Sequence, residues 1–136
     1  MKYSIERKEE YAILTLEEEN LNSVKAPDLK SEFYLLKNMG ISNIILNLEK
    51  VKFVDSSGLS AILTGNRLWT EDNQSFILTN INHPSVSMLI NISRLDSILN
   101  ISKSISEAEK TILISTLAQE VNSDKIDDDG DFVEED

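Results

Sequence analysis

The segment of this sequence that is best suited to chemistry is a pair of adjacent serines preceded by an aspartate. The segment reads Asp55-Ser56-Ser57-Gly58-Leu59. A serine at a turn between a strand and a helix resembles a hydrolase nucleophile, but Asp55 replaces the first glycine that the Gly-x-Ser-x-Gly motif requires. Because Asp and Ser side chains accept hydrogen bonds from the free N–H groups of a helix start, the residues by themselves also fit a helix cap.

Other chemistry has little support in the residue types. Cysteine is absent, and the four glycines, at positions 40, 58, 65 and 130, are too scattered for a phosphate-binding loop. The single histidine, His83, precedes Pro84 and is interpreted as a turn residue at a helix start. The acidic run at residues 127–131 lacks the alternating acids and the final glutamate of a calcium loop. We therefore expect no metal site, no cofactor and no enzymatic activity.

The charge balance argues against nucleic acid and membrane partners. The 136 residues contain 13 Lys and Arg against 24 Asp and Glu, a net charge of −11. Residues 124–136 hold eight acids and one lysine, so this tail carries −7 and residues 1–123 carry −4. Such a chain repels phosphate backbones and anionic lipids, and the like-charged tail is expected to be disordered. With neither a secretion signal nor an apolar run of about 18 residues, the protein is expected to be soluble and cytoplasmic.

Hydrophobic periodicity predicts alternating strands and helices around the serine segment. Strands are predicted at residues 3–7, 11–16, 41–48, 53–54, 75–79 and 98–101. One helix is predicted from Pro27 to Gly40, a second from the serine segment to Trp69, and a short third from Pro84. A Ser-x-x-Glu capping box at residues 106–109 predicts a fourth helix that ends near Gln119. The pattern favours one α/β domain over residues 1–120, a small mixed sheet of four to five strands packed with about four α-helices, and an acidic tail over 121–136.

The serine segment and the strand before it resemble the signature of STAS domains, most closely those of bacterial anti-sigma-factor antagonists. The resemblance is carried by Asn43-Ile44-Ile45-Leu46-Asn47-Leu48-Glu49 and Phe53-Val54-Asp55-Ser56-Ser57-Gly58-Leu59. It extends over residues 1–118 in the order and spacing of the elements, including Leu21-Asn22 before the first helix and His83-Pro84 before the third. It implies a STAS-like fold, with the tail outside the domain.

The resemblance also implies a phosphorylation switch. In that family the second serine of the motif is phosphorylated, which here is Ser57. The resemblance places the partner-binding surface at Asp55, Ser56, Gly58, Leu59, Leu21, Asn22 and Ser23. The protein would then be an anti-sigma-factor antagonist that binds an anti-sigma factor or related serine kinase when unphosphorylated, is released on phosphorylation, and is reset by a serine phosphatase. ATP would belong to the kinase and not to this chain.

The sequence departs from the family at one loop and leaves two other functions open. The family often has Gly-x-Leu-Asp before the first helix, whereas this chain has Glu19-Asn20-Leu21-Asn22, so an acid near the modified turn is lost. One alternative is a constitutive STAS adaptor or subunit, for example beside a transporter ATPase, with Ser57 as an unmodified cap. The other is a small-ligand or nucleotide sensor, for which the sequence offers no phosphate loop or basic pocket.

Overall fold

Strands and helices alternate along the chain, as the hydrophobic pattern predicts. The computed structural model describes the backbone of residues 1–135 and the side chains of residues 1–121. The strands are β1 (Tyr3–Arg7), β2 (Ala12–Leu16), β3 (Asn20–Leu21), β4 (Ile44–Asn47), β5 (Phe53–Val54), β6 (Phe76–Thr79) and β7 (Asn100–Ser102). The helices are α1 (Ala26–Asn38), α2 (Ser56–Thr70), α3 (Pro84–Ile92) and α4 (Ile105–Glu135), with a 3₁₀ turn at Leu95–Ser97.

The main sheet is mixed and has five strands in the order β1-β2-β4-β6-β7. β1 runs antiparallel to β2, and each following pair is parallel. β3 and β5 form a separate two-stranded parallel pair. The predicted fold class, an α/β domain with a small mixed sheet and four helices, is confirmed.

Different helices cover the two faces of the sheet. Leu46 and Leu78 are fully buried in the core beneath α1, α2 and α3. Their neighbours Ile45 and Ile77 point the other way and pack against Ile112 of α4. Every residue of β4 is buried, which confirms that this dense apolar run is a central strand covered on both faces.

Helices α1 and α2 approach closely over an aromatic cluster. The Phe33 ring lies 5.9 Å from that of Trp69 and 5.3 Å from that of Phe76, both edge to face. A Cβ at Gly65 would lie 2.5 Å from Phe76 and 2.7 Å from Phe33, so a glycine is needed there for the rings to pack. The buried Trp69 indole also donates to the Ile41 carbonyl at 3.0 Å. These contacts fix the spacing between α1 and α2.

The structure differs from the sequence prediction at β3, β4 and β7. β4 covers Ile44–Asn47 and not the whole of residues 41–48. The pattern does not predict β3, because its two residues lie in a polar stretch too short to show alternation. The last strand is shifted from residues 98–101 to Asn100–Ser102, because the 3₁₀ turn before it ends at Ser97.

Helix α4 begins and ends differently from the prediction. Its capping box is the overlapping Ser104-Ile105-Ser106-Glu107: the Ser104 hydroxyl accepts from the Glu107 N–H at 3.1 Å, and the Glu107 carboxylate accepts from the Lys103 N–H at 3.1 Å. The backbone stays helical to Glu135 instead of ending near Gln119, and no proline follows Gln119 to interrupt the helix. The acidic tail at residues 121–136 is expected from its sequence to be disordered; the side chains from residue 122 onward lie outside the described residues, and the disorder stays a prediction.

Candidate functional site

The turn that precedes α2 is built on the short β3–β5 pair. Leu21 pairs with Val54, and the Asp55 N–H then donates to the Leu21 carbonyl at 3.2 Å. Asp55 has an extended backbone, with φ −98° and ψ −176°, and α2 begins at the next residue. The end of β3 and the start of α2 are therefore held side by side.

Both carboxylate oxygens of Asp55 are used to hold this turn. Oδ1 accepts from the Gly58 N–H at 2.9 Å, which caps α2. Oδ2 accepts from the Ser23 N–H at 3.2 Å, across to the loop that follows β3. The capping role that the residue types allow is thus present, and the same side chain brings Ser23 to the serine segment.

Asn22 shapes the loop on the other side of the turn. Its side-chain oxygen accepts from the N–H groups of Val24 at 3.1 Å and Lys25 at 3.4 Å. Its carbonyl accepts from the Ala26 N–H at 2.8 Å, where α1 begins. An aspartate would offer the same acceptor oxygen, so the departure from the family pattern at Asn22 removes a charge and keeps an acceptor that can form the turn.

Three of the predicted site residues lie beneath the surface. Leu21 is 1% exposed and Leu59 7% exposed, and Gly58 is buried between them. A Cβ at Gly58 would lie 2.3 Å from the Leu21 carbonyl oxygen and 3.0 Å from the Val54 side chain. These residues support the turn from below, and Gly58 is required because the β3 backbone passes so close to α2.

The two serines of the segment border an open depression between α1 and α2. Ser56 is exposed and Ser57 half-buried. The depression has a volume of about 310 Å³ and is lined by Ser23, Ala26, Pro27, Lys30, Ser56, Ser57 and Ser60. The structure therefore brings the predicted residues Ser23, Ser56 and Ser57 together around one concave surface feature.

Two exposed apolar side chains lie close in sequence to the residues of the site, and the sequence analysis does not predict that either is exposed. Val24 is 77% exposed in the loop before α1. Phe53 is 54% exposed on β5 and lies tilted against the His83 ring, with 5.4 Å between centroids. Phe53 could not be assigned to the surface from sequence, because only its pairing in the unpredicted β3–β5 ribbon turns it outward.

Charged side chains around the turn are mostly paired. Lys25 bridges to Glu18 at 3.2 Å, and this hydrogen bond is the main reason that the pKa of Glu18 is lowered. Lys52 bridges to Glu19 at 3.4 Å. Lys30 lines the depression and is its one cation.

His83, the single histidine, caps a different helix from the one that carries Ser57. The His83 ring takes part in a hydrogen bond with the Ser85 hydroxyl at 2.9 Å and caps α3, the helix-start position that the sequence predicts. Within the described residues no group of three or more His, Asp or Glu side chains is placed to hold a metal ion. What the arrangement offers is an accessible hydroxyl on a rigid turn.

The family of the chain follows from a comparison of its sequence with protein-family models. The model of the STAS domain matches residues 2–108. The chain belongs to the STAS domain family. No curated protein matches the sequence.

Solved structures share this fold at low sequence identity. TM1081 of Thermotoga maritima is 24% identical, covers 81% of this chain and 93% of its own, and has a TM-score of 0.69. The Bacillus anti-sigma factor antagonist SpoIIAA in its phosphorylated form is 21% identical, with coverage of 82% and 99% and a TM-score of 0.63. A sulfate transporter family protein of Wolinella succinogenes is 15% identical, with coverage of 76% and 85% and a TM-score of 0.63. At these identities the likeness establishes the fold alone.

In the part of the chain that the structure describes, no helix is both long enough and apolar enough to span a bilayer.

Proposed function

We propose that this STAS protein is an anti-sigma-factor antagonist that acts by partner switching. In the unphosphorylated state it binds an anti-sigma factor or related serine kinase. Phosphorylation of Ser57 releases that partner, and a serine phosphatase restores binding. The observation that carries the proposal is the position of Ser57, on the first turn of α2 at the border of an open depression.

The surroundings of Ser57 suit a docking surface. Val24, next to Ser23, and Phe53, two residues before Asp55, offer exposed apolar area that a partner can cover. The hydrogen bonds of Asp55 hold the segment in one conformation, so little ordering is needed when a partner binds. SpoIIAA, which shares the fold, is an anti-sigma factor antagonist known in phosphorylated and unphosphorylated forms.

Phosphorylation would act on the interface and leave the fold intact. A phosphate on Ser57 meets the free N–H groups of the first turn of α2 and the positive end of its dipole, which both favour an anion. Against a partner fitted to the neutral hydroxyl, the same phosphate adds nearly two negative charges and a desolvation cost. A penalty of about 3 kcal/mol weakens a complex by roughly a hundredfold, which is enough to exchange partners.

In this scheme the chain itself catalyses nothing. The kinase supplies ATP and the transfer chemistry, and the phosphatase supplies the hydrolysis. Because the kinase needs ATP, the switch operates in the cytoplasm.

The test maps phosphorylation sites by mass spectrometry on protein purified from its own cells, and then compares partner capture by variants. We expect phosphate on Ser57, partner capture by Ser57→Ala, and loss of capture by Ser57→Asp. Ser106→Asp is the matched control, because it adds the same charge at an exposed serine of α4, on the opposite face of the sheet. Equal capture by both Ser57 variants, with no phosphate on Ser57, would refute the switch.

A constitutive STAS adaptor is the second candidate. One support is the fold likeness to a sulfate transporter family protein. The other is the capping bond from the Gly58 N–H to Asp55, which explains why an aspartate precedes α2 without any phosphorylation of Ser57. Partner capture that is insensitive to the charge at Ser57 would identify this function.

A further inference from the structure

The depression beside Ser57 combines hydroxyl groups with a single cation. Four serines line it, at positions 23, 56, 57 and 60, together with Lys30 on the first turns of α1. Its volume of about 310 Å³ is many times the roughly 10–15 Å³ that one water molecule needs on the same measure, so a phosphate group fits inside. No carboxylate lines the depression.

Lys30 is available to an anion in a way that neighbouring lysines are not. Lys25 pairs with Glu18 at 3.2 Å, and Lys37, two turns further along α1, pairs with Asp72 at 2.6 Å. Among residues 1–121, by contrast, no carboxylate oxygen lies within 4.0 Å of the Lys30 ammonium.

The two walls of the depression are fixed relative to each other. Lys30 lies on α1 next to Leu29, which is fully buried, and Phe33 of the same helix packs against the glycine of α2 at position 65. Ser57 lies on α2, whose first turn is capped by Asp55. The helix that carries the cation and the helix that carries the hydroxyl therefore keep a fixed relative position, and both side chains line the same depression.

We infer that Lys30 is the counter-charge of phosphate on Ser57, and that it draws the phosphate into the depression between α1 and α2. The inference rests on the proposed function, since it concerns the phosphorylated form. Lys30 is a positioning residue: it takes no part in the transfer reaction. The phosphate would then occupy the depression and also add negative charge. Both effects would exclude a partner side chain that enters the depression in the unphosphorylated state.

The test is a ³¹P NMR titration of full-length protein in which phosphoserine is inserted at position 57 during synthesis. The second pKa of a phosphoserine is about 6. A nearby ammonium favours the dianion, so Lys30 lowers this pKa, and Lys30→Gln should raise it by about half a pH unit at low ionic strength. Lys30→Arg keeps the charge and should leave the value near that of the parent protein.

Lys25→Gln is the matched control, because it removes a lysine from the same region whose charge is already paired with Glu18. We expect its titration to shift by much less than that of Lys30→Gln. Fluorescence of the single, buried Trp69 reports whether each variant is folded. The inference is wrong if Lys30→Gln titrates like the parent protein, or if Lys25→Gln shifts the titration equally.

This result does not depend on whether a kinase modifies Ser57 in the cell, because the phosphate is introduced during synthesis. Failure of the proposed function would be seen in phosphosite mapping and in partner capture. Failure of the Lys30 inference would be seen in the titration alone.

Discussion

Substituting Gly58 with alanine tests the packing that joins the loop after β3 to the serine segment. A Cβ at this position would lie 2.3 Å from the Leu21 carbonyl oxygen and 2.9 Å from Leu21 Cγ. The oxygen belongs to the backbone of β3, so a side-chain rotation cannot remove the overlap. Overpacking of this kind typically costs about 1–3 kcal/mol. Against it stands the helix propensity of alanine, which favours alanine over glycine by about 1 kcal/mol.

Because the overlapping atom belongs to the backbone, we place the overpacking cost in the upper part of this range, at about 2–3 kcal/mol, and the net expectation for Gly58→Ala is a destabilisation of about 1–2 kcal/mol. With the slope usual for small domains, this corresponds to a urea midpoint lower by about 0.5–1 M. Unfolding can be followed by the fluorescence of Trp69, which is the single tryptophan and is fully buried. The midpoint should fall with little change in slope.

Ser60→Ala is the control, because Ser60 is exposed on the same helix and alanine there only improves helix propensity. It should be neutral or slightly stabilising. If Gly58→Ala were also neutral or stabilising, the close approach of β3 to α2 would be wrong, and the loop would not be held against the serine segment as described.

Two further predictions concern Asp55 and Tyr11. Asp55→Asn leaves one acceptor oxygen where two are used, so either the Gly58 or the Ser23 N–H loses its partner. We expect the free energy of unfolding in urea to fall by about 1 kcal/mol, whereas the control Ser56→Ala should lose no stability. If Asp55→Asn behaved like this control, the double role of Asp55 would be wrong. Burial, and then the hydrogen bond to Glu109, raise the pKa of Tyr11 to about 12 from its usual 10. The folded state therefore keeps a proton that the unfolded chain loses, so stability present below pH 10 is lost as the pH rises towards 12. Between pH 9 and pH 11, the free energy of unfolding should fall less for Tyr11→Phe than for the parent protein, and Tyr34→Phe is the control. If Tyr11→Phe and the parent protein lost the same amount, the assignment to Tyr11 would be wrong.

The main elements could be predicted because each of them buries a long, regular apolar pattern. β4 is a run of buried aliphatic residues, and α2 repeats its apolar residues at helical spacing as far as Trp69. These elements depend on residues near one another in the sequence, so periodicity reveals them. The family comes instead from the resemblance of the serine segment and the strand before it to the STAS signature.

The geometry of the candidate site depends on contacts between segments that are distant in sequence. β3 has two residues and exists only through its pairing with β5, more than thirty residues later. The exposure of Phe53 follows from that pairing, and the depression follows from the spacing between α1 and α2 that Gly65 permits. No local pattern encodes these distances, so the sequence predicts which residues meet at the turn but not the concavity or the cation beside them.

The rigidity of this turn bears on how a phosphate would act. A switch that works by ordering or melting a segment needs a segment that is nearly free to move, and the serine segment is instead held by both oxygens of Asp55 and by the close packing of Gly58 under Leu21. Loosening it would mean breaking several of these contacts together. A phosphate on Ser57 would meet the start of α2 and Lys30, which favour an anion, and the Asp55 carboxylate, which repels it but is held by two backbone N–H groups. The effect of phosphorylation should therefore fall almost entirely on the partner, through charge and through occupation of the depression.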